Sequence, residues 1–172
     1  MVIIITGASH TGKTLAAQKL LERYKYPYFS IDLMKMGLIR SGNTALTPTD
    51  PDEKLTPYLW GIVREMIKTA IENRQDLIVE GCYVPFDWKK DFTQEYLREI
   101  RYFCLVMTER YIRAHFDDIL AHESDIETRL PWDFAMEEAL AENARYLAGC
   151  KENGLLPLLI DERYEVEINL QG

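Results

Sequence analysis

The sequence predicts a three-layer α/β fold: a doubly wound, five-stranded parallel sheet with a small helical lid. Two observations carry this expectation. Short apolar runs alternate with amphipathic stretches along the chain, the pattern of repeated strand–helix–strand units. The first apolar run also leads directly through a glycine-rich turn into an amphipathic helix. No repeat, low-complexity tract or long linker interrupts the alternation, so a single domain over 1–172 is expected.

Val2 to Thr6 is a continuous β-branched run and reads as a buried first strand. Thr11 to Tyr24 reads as a helix with Leu15, Ala16, Leu20 and Leu21 on one face. Tyr28 to Ile31 is a second strand ending at Asp32, and a short helix covers Leu33 to Ile39. Ser41 to Asp52, rich in Gly, Asn, Thr, Pro and Asp, is a loop. Thr56-Pro57 is read as the start of a helix running to about Asn73. Leu77 to Val79 forms a third strand ending at Glu80-Gly81, and Asp87 is placed to cap a helix through about Glu99. Tyr102 to Met107 is the fourth strand, followed by a helix from Glu109 to about His122. Pro131-Trp132-Asp133 opens another helix that stops before Gly154, and Leu155 to Ile160 supplies the fifth strand. Glu165 to Leu170 alternates, so a terminal edge strand is expected.

Bulk properties narrow the function. With 47% hydrophobic and 28% charged residues the composition is that of an ordinary soluble domain, and no run is long enough to span a bilayer. Met1 to Ile5 lacks a basic stretch of the secretory kind, so cytoplasm is the expected location. A net charge of −8 argues against nucleic-acid or membrane-surface partners, but a local arginine cluster can still bind phosphate. Cys82, Cys104 and Cys150 lack metal-ligand spacing and read as reduced thiols. Nothing defines the oligomeric state, and a monomer is the weak default.

The most informative segment is Gly7-Ala8-Ser9-His10-Thr11-Gly12-Lys13-Thr14, a Gly-x-x-x-x-Gly-Lys-Thr phosphate loop. Its glycines let the backbone wrap closely around a ligand. Amides of Ser9, His10 and Thr11 then help form an anion-binding nest, and the following helix adds its dipole. Lys13 supplies charge for the β- and γ-phosphates, and the Thr14 hydroxyl is placed to ligate Mg²⁺. The bare pattern arises by chance in roughly one chain in two hundred of this length. Its position between a strand and a helix is what makes it specific.

Ligands of open α/β sheets sit beyond the carboxyl ends of the strands. That rule gathers the loop, Asp32, Glu80 and the segment after Met107 at one rim. His115 and His122 share a helix with Asp118 but lack a fourth ligand, and read as a polar face.

On the phosphate loop, Ser30-Ile31-Asp32-Leu33-Met34 through Arg40, and Leu77 to Pro85, the sequence resembles the nucleoside-monophosphate-kinase-like P-loop kinases. That group includes adenylate and shikimate kinases, zeta toxins and chloramphenicol phosphotransferases. The resemblance covers roughly a third of the chain, and elsewhere only element order matches. It implies a strand order of 2-3-1-4-5, an acceptor-binding segment over about 32–56 and a lid over about 109–131. It also implies an ATP-dependent kinase using Mg²⁺ and acting on a small-molecule acceptor, with Lys13 and Asp32 catalytic, Asp32 orienting or deprotonating the acceptor hydroxyl and Glu80 holding Mg²⁺ through water. Arg40, Glu80 and Tyr83 would face the acceptor, and Arg110, Arg113 and Arg129 would close over the transferring phosphoryl. Glu80 stands where adenylate kinases carry Asp, and no arginine follows it, so their mode of monophosphate recognition is not carried over. The alternative is a nucleotide-binding regulatory or toxin-like protein without metabolic turnover. A GTP switch is disfavoured because the Asn-Lys-x-Asp guanine pattern is absent.

Overall fold

A computed structural model describes residues 1–122, 126 and 134–170. The elements run β1 (Val2–Gly7), α1 (Lys13–Tyr24), β2 (Tyr28–Ser30), α2 (Ile31–Arg40), α3 (Asp52–Glu72) and β3 (Leu77–Glu80). After a short 3-10 turn (Trp88–Asp91) come α4 (Gln94–Arg98), β4 (Ile100–Met107), α5 (Glu109–Ala121), α6 (Met136–Glu152) and β5 (Pro157–Ile160). The five strands are parallel and ordered β2-β3-β1-β4-β5, as the resemblance implied.

Both faces of the sheet are covered, which is why β1 reads as an unbroken apolar run. Val2 and Ile4 point into a core with Leu59, Val63 and Ile67 of α3 and Tyr146 and Cys150 of α6. Ile3 and Ile5 point the other way, against Ala16, Ala17 and Leu20 of α1 and Tyr111 and Ile112 of α5. Register then places the site. Ile5 and Ser30 both pair with Glu80, so β1, β2 and β3 end at one level and their following segments emerge at one rim. Because β1 is central, that rim has an α2–β3 side and a β4–β5 side, with the glycine loop between them.

Several local expectations need correction. α3 begins at Asp52, with Pro57 inside it, not at Thr56-Pro57. Acidic Asp52 and Glu53 complement the helix dipole in the first turn, and buried Leu55 extends the apolar stripe upstream of the proline. Asp87 makes no side-chain cap, and 87–99 is split into the 3-10 turn and the five-residue α4. Aromatic packing of Trp88 and Phe92 into the core breaks a continuous helix there. Glu165–Leu170 is not a strand. Its alternation is real, because Val166 and Ile168 are buried, but they pack beside α1 while Tyr24 ties the segment through Asn169 and Leu170. The helix expected to open at Pro131-Trp132-Asp133 is described only from Met136 onward, and those three residues lie outside the described set. No described helix is long and apolar enough to cross a membrane.

Candidate active site

The glycine loop is held by its own backbone constraints. Gly7 has φ 142°, and a Cβ there would sit 2.2 Å from the Leu105 carbonyl oxygen. Gly12 precedes α1 at φ 78°, and a Cβ there would meet the Tyr164 hydroxyl at 1.9 Å. Neither position admits a side chain. Gly7→Ala is expected to destabilise the protein by about 3 kcal/mol or more, combining strain with overpacking. Gly37→Ala in α2 is the control, since its added Cβ meets nothing among the described residues. Urea denaturation of the two variants checks the contrast.

Inside the loop, the Thr11 hydroxyl donates to the Ala8 carbonyl at 2.8 Å, and the Lys13 ammonium donates to the same oxygen at 2.7 Å. Tyr164, from the segment after β5, donates its hydroxyl to the Thr11 carbonyl at 3.2 Å. His10 adopts φ 60° and stacks its ring on Phe134 at 4.2 Å, so its side chain anchors the loop. Thr14, one residue after the lysine, donates its hydroxyl to Glu80 at 3.4 Å. The Thr14 hydroxyl and Glu80 carboxylate are both hard oxygen donors of the kind Mg²⁺ prefers.

Burial alone would lower the Lys13 pKa. The neighbouring Cys82, Glu80, Glu142 and Asp32 outweigh it and hold the ammonium above its ordinary 10.5. Burial also pushes the Cys82 thiol up, so Cys82 is neutral near pH 7 and the carboxylates supply the effect there. Lys13 is therefore a fixed charge among acids. Sheet register brings Asp32 and Glu80 to Lys13, and α6 adds Glu142.

Asp32 is not the cap of α2. Ser30 takes that role, accepting the Leu33 N–H at 3.4 Å, and Asp32 lies in the first turn. One turn on, Lys35 donates to Asp32 Oδ1 at 2.8 Å and to the Tyr83 hydroxyl at 2.7 Å. Burial opposes the Lys35 charge, but Asp32 and Tyr83 more than compensate and raise its pKa. Burial pushes the Tyr83 phenol up to about 12, so it accepts from Lys35 as a neutral group. Tyr83 and Asp32 are thus joined through a lysine. Lys35 shares a face with Asp32 at i,i+3, a spacing visible in the sequence, whereas the reach to Tyr83 is visible only in the fold.

The arginines are less concentrated. Arg40 is exposed at the far end of α2, more than two turns beyond Asp32. Arg110 is exposed and donates to Asp161 at 3.1 Å, while Arg113 donates to Glu109 at 2.8 Å on the same helix. Arg129 lies outside the described residues. A cavity of about 610 Å³ opens on the β4–β5 side of the loop. It is lined by Gly12, Lys13 and Thr14, by Tyr111 and His115 of α5, and by Tyr164. Tyr111 and His115 stack on each other at 4.7 Å along that wall. Arg110 and Arg113 are not among its lining residues, and neither is any residue of α2 or β3.

In three-dimensional comparison the chain is similar to a shikimate kinase from Bacteroides thetaiotaomicron. The TM-score is 0.53 at 14% identity, covering 99% of this chain and 91% of that one. The fold is that of a P-loop kinase. A sugar kinase from Janibacter sp. HTCC2649 is also similar, with a TM-score of 0.50 at 16% identity over 93% of this chain and 84% of that one. No protein-family model matches the sequence, and no curated protein does. At these identities, the P-loop kinase likeness is one of fold, and the chemistry must be argued from the residues.

Proposed function

We propose that the protein is an ATP-dependent small-molecule kinase that transfers the γ-phosphate of MgATP to an acceptor hydroxyl or phosphate. The observation that carries this reading is the convergence of a loop bounded by Gly7 and Gly12, buried Lys13 and the Asp32 and Glu80 carboxylates at one rim. Loop amides and Lys13 would hold the phosphate chain, and the adjoining cavity has the volume for a base and ribose. Thr14 and Glu80 would hold Mg²⁺, which supplies charge neutralisation between the outer phosphates when bound.

Acceptor chemistry falls on the α2–β3 side, where Asp32 would orient or deprotonate the attacking hydroxyl. Lys35 and Tyr83 fix the Asp32 carboxylate in place, so little reorganisation is needed at the moment of transfer. Arg40 would serve as an outer anion contact at the end of α2. A lid over about 109–131 would supply Arg110, Arg113 and Arg129; α5 is packed on the core through Ile112, so Arg110 and Arg113 would exchange their carboxylate partners for phosphoryl oxygens by side-chain rotation.

The test is a screen of hydroxyl-bearing and phosphorylated metabolites for acceptor-dependent ADP formation. At least one acceptor should stimulate ADP release from wild type but not from Asp32→Ala. Tight ATP binding without turnover on any acceptor would instead favour a regulatory or toxin-like role.

A further inference from the structure

One contact to the loop comes from a residue that no motif marks. Glu142, on α6, accepts the Ser9 backbone N–H at 3.0 Å through Oε2 and the Ser9 hydroxyl at 3.3 Å through Oε1. Its side chain is only 20% exposed. A carboxylate therefore occupies a backbone donor of a loop whose chemistry is to receive phosphoryl oxygens.

Which phosphate this contact competes with follows from position. Inner phosphates are held at the start of α1, where Gly12, Lys13 and Thr14 present the helix N-terminus. Ser9 follows Ala8, whose carbonyl accepts the Lys13 ammonium at 2.7 Å, so the Ser9 N–H lies at the end of the loop that the Lys13 ammonium reaches. Lys13, whose ammonium serves the β- and γ-phosphates, feels the Glu142 charge directly. The Ser9 donor thus belongs to the outer end of the chain. Glu142 also has a second berth: Oε1 is 3.9 Å from Arg145 Nη2, one turn along α6, and Arg145 already reaches Asp52 of α3 at 3.3 Å.

We propose that Glu142 is a specificity-determining residue that reads phosphate-chain length by competing with a terminal phosphoryl group for Ser9. This inference rests on the nucleotide-binding reading above. A diphosphate fills the inner loop and leaves the Glu142–Ser9 contact in place. A triphosphate takes the Ser9 N–H and drives the carboxylate to Arg145. When the terminal phosphoryl has been transferred, Glu142 can return to Ser9 beside the diphosphate. No bond is made or broken in the exchange; only hydrogen-bond partners change.

Calorimetric titration of MgATP and MgADP into the full chain tests it, using wild type, Glu142→Ala, Glu142→Gln and Arg145→Met. Glu142→Ala is expected to tighten MgATP by roughly tenfold or more, the scale of one charge-assisted hydrogen bond. MgADP affinity should stay within about twofold. Arg145→Met removes the berth and should weaken MgATP alone. Glu142→Gln keeps the side-chain volume and should shift the ATP-to-ADP ratio in the same direction as alanine; it carries the test if alanine impairs folding. An unchanged ratio in the glutamate variants, or equal shifts for both nucleotides, overturns the inference while leaving nucleotide binding intact. If wild type binds neither nucleotide, the underlying reading falls as well.

Discussion

Replacing Lys13 with methionine is expected to reduce phosphoryl transfer on the order of a thousandfold or more, measured at saturating nucleotide with the acceptor found by screening. Methionine keeps an apolar stem of similar length in the buried slot but removes the ammonium. Without it, charge developing on the outer phosphates meets Asp32, Glu80 and Glu142 with one cation fewer to offset them. Stability should respond too. Glu80 is buried, and loss of its cationic neighbour leaves it less compensated, costing about 3 kcal/mol at neutral pH. The pH sign is fixed by the shift. The Lys13 pKa in the fold lies above its ordinary 10.5, so its stabilising effect is fully present below 10.5 and is lost as pH rises through the folded value. The melting-temperature gap between wild type and Lys13→Met should therefore be widest near neutrality and narrow in strong alkali. A constant gap across that range would show that the ammonium charge is not what matters.

Asp32→Asn should slow transfer by roughly 10²–10⁴-fold, the range for loss of a positioned general base. Shape is retained, and the amide oxygen can still accept from Lys35, so folding should be preserved. MgATP affinity should not weaken, because Asp32 is an anion within the electrostatic reach of Lys13 and its removal only reduces negative charge near the phosphates. A kcat collapse with unchanged nucleotide affinity is the signature sought. Full activity in the asparagine variant would remove Asp32 from the mechanism and leave Glu142 as the acid to examine.

The two variants probe parts of the site that differ in how readable they were. β1, the loop and α1 were legible because each rests on local physics: an apolar run buried on both faces, glycines in left-handed or tightly packed positions, and an amphipathic helix. Asp32 is legible as an acid at the junction of β2 and α2, but the exact boundary is not: β2 ends at Ser30, which caps α2, and Asp32 lies in the first turn, because either residue type favours an N-cap. The start of α3 is not legible, because Thr56-Pro57 gives a local start signal while the burial of Leu55 upstream of it is set by tertiary packing. Glu165–Leu170 shows the same limit in reverse. Its alternation specified burial, and whether a partner strand lay alongside was not written in the segment. Glu142 lay furthest beyond sequence reasoning. It meets Ser9 across a sequence separation of 133, and only the packing of α6 against the rim brings them together.

The central claim is that loop amides and one buried ammonium hold a triphosphate tail, and titration of wild type with MgATP and MgGTP tests it most directly. Saturable heat at one site per chain with MgATP, abolished or strongly weakened in Lys13→Met, is the predicted result. Absence of binding heat from every purine triphosphate, with magnesium present and the protein folded, would contradict it.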